Sequence, residues 1–169
     1  LASSAASDVY KRQSYNQTEG GAVYQSIGTA TIKGSTFDQN VAETAKEPTK
    51  NNASAMGGAV SLWGTTTVIE DSTFTNNSSG QSGGAIYTVA GSSLSIYNSD
   101  FSGNSGYRGG AIFNSGTTTV VNSLFDANIS VDDGAAINNT AGAALSITNS
   151  TFQNHTPSGR NANGGAIYS

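Results

Sequence analysis

The sequence predicts an all-β fold, a right-handed parallel β-helix forming a three-sided β-solenoid of about five coils, on three observations. First, a short motif that opens on glycine returns along the 169 residues at Gly20, Gly57, Gly83, Gly109, Gly134 and Gly164, in steps of 37, 26, 26, 25 and 30 residues. That period is too short for a propeller blade and suits one coil of a solenoid. Second, each of the first five motifs is followed by a phenylalanine (Phe37, Phe74, Phe101, Phe125, Phe152), with Ile32, Ile69, Ile96, Val120 or Ile147 five residues before it. Third, apolar residues at helical spacing are absent, and what recurs are short β-rich segments separated by Gly, Asn or Ser.

Residues 1–19 form a non-repeat segment with neither an initiator Met nor a long apolar signal core, so the chain reads as an internal fragment. Residues 20–169 form the repeat domain. Each copy holds three segments, near GGAIY, TTTVV and STF in this wording. The opening segments contribute Val23, Val60, Ile86, Ile112, Ile137 and Ile167 to an apolar column. Two residues before each Phe stands a serine (Ser35, Ser72, Ser99, Ser123, Ser150), and three after it stands Asn40, Asn77, Asn104, Asn128 or, in the fifth copy, His155. Such short segments cannot bury an apolar face alone, but copies stacked on copies can, each coil adding about 4.8 Å and five coils about 24 Å. A stacked position meets the same environment in every coil, so Ile packs on Ile and Phe on Phe, each burial contributing roughly 1.5–3 kcal/mol. The glycine pairs mark a bend or close approach that excludes a Cβ. The Asn column is expected at a turn, with left-handed dihedrals and an amide ladder between coils. Residues 41–56, VAETAKEPTKNNASAM, interrupt the period and read as an inserted surface loop. Handedness follows from the crossover rule for parallel strands.

A net charge of −4 with 11% charged residues leaves no basic footprint, so nucleic acid is not an expected partner. The chain has no cysteine, hence neither disulfide nor thiolate metal site. No apolar run approaches the roughly 18 residues needed to span a bilayer, so direct membrane insertion by these residues is not expected. No cofactor is implied.

Parallel β-helices also carry carbohydrate-cleaving enzymes, which need paired carboxylates. Asp100 precedes one Phe and Asp126 follows the next, so both should point outward on neighbouring coils, with Cα atoms roughly 8 Å apart. An inverting glycosidase uses such a separation, but two exposed acids on a Ser/Thr-rich wall meet it readily, and the pair is read as surface. Asp132 and Asp133 adjoin in a turn, and Glu70 and Asp71 sit at a strand end. A calcium-binding repeat needs an Asp in each turn, where these coils supply Asn and Ser. His155 is the lone histidine, without companions for zinc or a triad, and reads as a turn residue. No Lys plus Ser/Thr follows the glycine pairs, which excludes a phosphate loop. Asn-x-Ser/Thr triplets such as Asn128 to Ser130 and Asn149 to Thr151 follow from composition.

Two outward features are candidate binding surfaces. The residue after each GGA(I/V) is Tyr24, Ser61, Tyr87, Phe113, Asn138 or Tyr168, and strand alternation puts it opposite the core Ile/Val. Tyr24, Tyr87, Phe113 and Tyr168 would then form an aromatic stripe suited to a sugar ring or a protein groove. The alternative is a Thr/Ser face from Thr29, Thr31, Thr66, Ser93, Ser95, Thr117 and Thr119, which resembles the ice-binding face of some β-solenoid antifreeze proteins. Only two of five coils have both threonines, and threonine is also simply a good exposed strand residue.

The alternation of GGA(I/V), at Gly20 to Val23, Gly57 to Val60, Gly83 to Ile86, Gly109 to Ile112 and Gly164 to Ile167, with FxxN, at Phe37 to Asn40, Phe74 to Asn77, Phe101 to Asn104 and Phe125 to Asn128, resembles the chlamydial polymorphic outer membrane proteins and similar autotransporter adhesins. Ala135 in GAAI and His155 depart from the pattern and predict a looser or differently turned fifth coil. The resemblance implies a surface-exposed or secreted passenger domain, working as stalk and adhesin toward a host-cell protein or glycan, carried by a C-terminal membrane barrel. It implies no enzyme. End-to-end self-association through exposed strand edges is also expected.

Overall fold

The computed structural model describes residues 18–43, 55–159 and 163–169. Within them every regular element is a β-strand, and every strand pair is parallel and joins one repeat copy to the next. Each coil runs through an opening, a long, a phenylalanine and a closing strand. The opening strands (Val23–Gln25, Val60–Leu62, Ile86–Thr88, Ile112–Asn114, Ile137–Asn139, Ile167–Tyr168) stack into a sheet of six. The long strands (Gly28–Lys33, Thr65–Glu70, Ser93–Tyr97, Thr117–Val121, Ala144–Thr148) stack into a sheet of five. So do the phenylalanine strands (Thr36–Asp38, Thr73–Thr75, Asp100–Ser102, Leu124–Asp126, Thr151–Gln153). The chain is therefore a parallel β-solenoid, with the three expected strand stacks in the expected register.

A fourth stack was not expected. Val41–Ala42, Ser78–Ser79, Ser105–Gly106, Ile129–Ser130 and Thr156–Pro157 pair into a closing sheet directly after the Asn column. Two-residue strands are too short for an alternation pattern to register in the sequence. The stack also trims the inserted loop. Val41–Ala42 pairs with Ser78–Ser79, and Ala55–Met56 pairs with Thr18–Glu19. Both ends of the 41–56 segment are thus strand, and its middle, 44–54, like residues 1–17, lies outside the described residues.

The core is the set of columns anticipated from the spacing. Ile69, Ile96 and Val120 are fully buried, as are Phe74, Phe101 and Phe125, while Ile32 is 7% exposed and Ile147, Phe37 and Phe152 lie half-buried toward the two ends. The five Phe rings stack face to face, with centroids 4.6–4.7 Å apart and planes within 6°. That separation is the strand spacing itself, so register between coils and ring stacking select the same geometry.

The Asn ladder runs beside the rings. Oδ1 of Asn77 accepts both the backbone amide of Asn40 (3.0 Å) and its side-chain amide (2.9 Å), and Asn104 and Asn128 take the same two bonds from the coil before. Asn77 Nδ2 also donates back to the Phe37 carbonyl at 2.9 Å. The dihedral expectation needs correction: the ladder asparagines are not the left-handed residues. Positive φ falls one residue earlier, on Gln39, Asn76, Gly103, Ala127 and Asn154. A left-handed residue there turns the chain so that the following Asn points inward, where it is at most 1% exposed in the first four coils.

The glycine pairs combine two constraints, shown by the third coil. Gly83 has φ +67°, and a Cβ on it would lie 2.1 Å from the Ile86 carbonyl oxygen. On Gly84 a Cβ would lie 2.0 Å from the Gly110 carbonyl oxygen of the next coil. The first glycine therefore answers a backbone dihedral and the second a close approach between coils. Ala135 stands at the second position in the fifth coil, and its amide donates to the Gly165 carbonyl. The corresponding amides of Gly21, Gly58, Gly84 and Gly110 all donate to the first glycine of the next pair. The extra methyl is accompanied by a one-residue shift of this bond, so the fifth coil is differently turned at this point.

Candidate functional site

The opening strands position the aromatic candidates. Ile86 and Thr88 are buried and Tyr87 between them is half-exposed, so the anticipated parity holds. Register places Tyr24, Ser61, Tyr87, Phe113, Asn138 and Tyr168 in one column. Tyr24 is 50% exposed, Tyr168 is 38% exposed, and Phe113 is half-buried. Tyr87 stacks on Phe113, with centroids 5.3 Å apart and planes at 14°.

Between Tyr24 and Tyr87 the column holds only Ser61, which is fully buried. Trp63, two residues further on, fills the gap. Its ring lies 6.5 Å from Tyr24 and 6.2 Å from Tyr87, tilted 48° and 44°, and Nε1 donates to Ser61 Oγ at 3.0 Å. Sequence reasoning missed Trp63 because a strict column excludes it, although it is the sole tryptophan and follows the one aromatic-free strand among the first four. Four coils thus carry a continuous aromatic ladder: Tyr24, Trp63, Tyr87, Phe113. Asn138 ends it, buried at 3% and donating through Nδ2 to the Asp133 carbonyl at 3.4 Å, so Tyr168 stands apart. Tyr87 and Phe113 cover each other's facing sides. Pairs of this kind add about 0.5–1.5 kcal/mol beyond area burial, so the ladder also stiffens the sheet it lies on.

The Thr/Ser candidates lie on the outer side of the long-strand sheet. Register aligns Thr29, Thr66, Ser93, Thr117 and Ala144 in one row, and Thr31, Val68, Ser95, Thr119 and Ser146 in another. Thr29, Thr31, Thr66 and Thr117 are exposed, while Ser93, Ser95 and Thr119 are half-buried. Val68 and Ala144 break the two rows, and the two Thr-x-Thr coils are the first and fourth, not neighbours.

Five of the acids, Glu70, Asp71, Asp126, Asp132 and Asp133, are engaged in pairing between coils. Lys33 Nζ lies 2.9 Å from Glu70 and 3.7 Å from Asp71, and the bond to Glu70 is the main reason its ammonium pKa is raised. Arg108 Nε bonds Asp132 Oδ2 at 2.9 Å. Asp133 Oδ1 accepts two bonds from Asn163, and Asp126 Oδ1 accepts one from Asn154 at 2.8 Å. Asp100 faces Leu124 and Asp126 faces Ser102, so these two acids sit diagonally, without direct cross-strand pairing. No group of three or more His, Asp or Glu residues that could hold a metal occurs among the described residues.

His155 proves to be more than a turn residue. Its Nδ1 accepts the Asn128 backbone amide at 3.1 Å, taking the place that Asn Oδ1 holds in the coils before. Burial holds its imidazole pKa below the usual histidine range. A second buried polar column was also missed. Thr88 Oγ1 donates to Asn114 Oδ1 at 2.9 Å, and Asn114 Nδ2 donates to Asn139 Oδ1 at 2.7 Å, inside the opening sheet where Leu62 is apolar.

No curated protein and no solved structure matches the chain. A family model does match, over the stretch that contains the Phe74 to Asn77 and Gly83 to Ile86 motifs together with the Asn ladder residue and the glycine pair described above. That match, at residues 71–89, is to the Chlamydia polymorphic membrane protein repeat, to which this stretch is similar.

Proposed function

We propose that the chain is a β-helical part of a surface-exposed or secreted passenger protein, serving as stalk and adhesive surface and not as an enzyme. The repeat match at 71–89 and the β-solenoid support the surface-protein reading. The observation that carries the adhesive reading is the outward aromatic ladder Tyr24–Trp63–Tyr87–Phe113, unbroken over four coils. The solenoid core needs no aromatic on this side, since Ser61 and Asn138 occupy the same column. Large amphipathic rings in a row offer contact area at low cost in side-chain entropy, which suits a protein groove or a glycan. The inserted segment 44–54 is a second contact candidate, because a solenoid varies at insertions without disturbing its stack.

The test is binding of the chain to a glycan array and to host-cell surfaces, beside a Trp63→Ser, Tyr87→Ser, Phe113→Ser variant and a variant lacking 44–54. Saturable binding lost in either variant locates the site, and no binding by the unaltered chain refutes the adhesive reading. The ice-binding alternative keeps one supporting observation, the exposed and in-register Thr29, Thr66 and Thr117. Thermal hysteresis that disappears in Thr117→Tyr would favour it. We further propose end-to-end self-association through the strand edges of the terminal coils.

A further inference from the structure

We propose that His155 is an acid-sensitive latch that holds the fifth coil against the fourth. At Asn77, Asn104 and Asn128 the ladder acceptor takes two hydrogens from the preceding coil, at 2.9–3.0 Å. His155 takes one, the Asn128 backbone amide, and the Asn128 side-chain amide donates only to the Phe101 carbonyl, at 2.8 Å. An imidazole nitrogen has a single lone pair, so the substitution removes one bond and makes the other conditional. Nδ1 accepts only in the neutral ring with its hydrogen on Nε2.

Protonation places a hydrogen on Nδ1, directly facing the Asn128 N–H. Two donors then oppose each other, and Nε2, buried and without a hydrogen-bond partner among the described residues, carries its hydrogen in both forms and so gains nothing on protonation. Around the ring the described groups are Asn128, Asp126 and the Phe125 backbone of the fourth coil and Phe152 of its own, whose ring lies 6.1 Å away at 58°. Asp126 is the charged group that acts on the imidazole; it and the Phe125 backbone favour the protonated form, against the larger effect of burial. A folded pKa held below the open-coil value means that the closed coil loses stability as pH falls below 6.5, with the loss complete once the folded pKa is passed. The coil it secures is also weakly packed. Leu145, Ile147 and Phe152 are half-buried, where Leu94, Ile96 and Phe101 are at most 1% exposed. One bond therefore weighs more here than in the coils before.

The experiment is amide hydrogen exchange from pH 7.5 to 5 on the chain, on His155→Asn, and on His155→Phe. The Asn104 amide, which makes the same ladder bond one coil earlier, is the internal reference. In the unaltered chain, protection of Asn128 relative to Asn104 should fall by up to about tenfold per pH unit below 6.5. His155→Asn restores the repeat's own residue and should keep that ratio level. His155→Phe keeps a ring without an acceptor and should show low Asn128 protection at every pH. An identical pH profile in the unaltered chain and in His155→Asn overturns the latch, as does loss at Asn104 in step with Asn128.

Discussion

At the residue scale, identical side chains do different work according to the column they occupy. Asn104 accepts two hydrogens inside the solenoid and donates through Nδ2 to the Phe74 carbonyl at 3.0 Å, whereas Asn98 and Asn122 stand exposed at left-handed turns and touch through a 3.4 Å amide contact. Asn104→Ala leaves both donors of Asn77 unanswered in a buried site, at about 1–3 kcal/mol for each. Asn98→Gly keeps the left-handed dihedral, loses only exposed contacts to Asp71 and Asn122, and should change stability by less than about 0.5 kcal/mol. Urea unfolding of both variants checks the contrast. Phe101→Ala removes the ring at the centre of the stack, between Phe74 and Phe125, and should cost about 3–5 kcal/mol by the same measurement. The Phe and Ile columns are legible without a structure, because one residue type recurs at one spacing. Asn114 and Asn139 are not, since their column reads Gln25, Leu62, Thr88, Asn114, Asn139 and no one residue type recurs in it.

At the element scale, the strands are short and held mostly by their counterparts in adjacent coils, so backbone proximity decides what a position tolerates. Gly84→Ala would place its methyl 2.0 Å from the Gly110 carbonyl and 2.5 Å from that of Ser105, both backbone atoms that cannot move aside. We expect local loss of the third coil, read as amide exchange at Ala85 and Ile86 approaching the rate of an unprotected chain. Ala135→Gly is the converse. It removes the methyl that accompanies the shifted bond to Gly165, and the Ala135 amide should move to the Gly164 carbonyl with stability rising, which NMR of the Gly164 and Gly165 resonances would report. Strand alternation correctly placed Tyr87 and Phe113 outward and Ile86 and Ile112 inward. It had no means to place Trp63, whose ring reaches the aromatic column from two residues away, a matter of side-chain length and not of strand parity.

At the scale of the whole molecule, the ladder has a direction. Each coil donates to the next, so Oδ1 of Asn40, in the first described coil, is buried without a hydrogen-bond partner among the described residues, and Phe37 and Val23 beside it are half-buried. This face is suited to another parallel coil that supplies donors and apolar columns, and the proposed end-to-end association uses it. Light scattering should then show a mass that rises with concentration, and Phe37→Glu should abolish the rise; a constant monomer mass at high concentration refutes the association.

The sequence by itself determined the solenoid, its core columns and its coil boundaries, because stacking repeats one environment per coil and so writes one residue type at one spacing. Only the tertiary structure decided the fourth strand stack, the left-handed residue ahead of each ladder Asn, the filling of the Ser61 gap by Trp63 and the entry of His155 into the ladder. These depend on what lies one coil above or below, and that neighbour stands some 25 residues away along the chain, where local pattern carries no record of it.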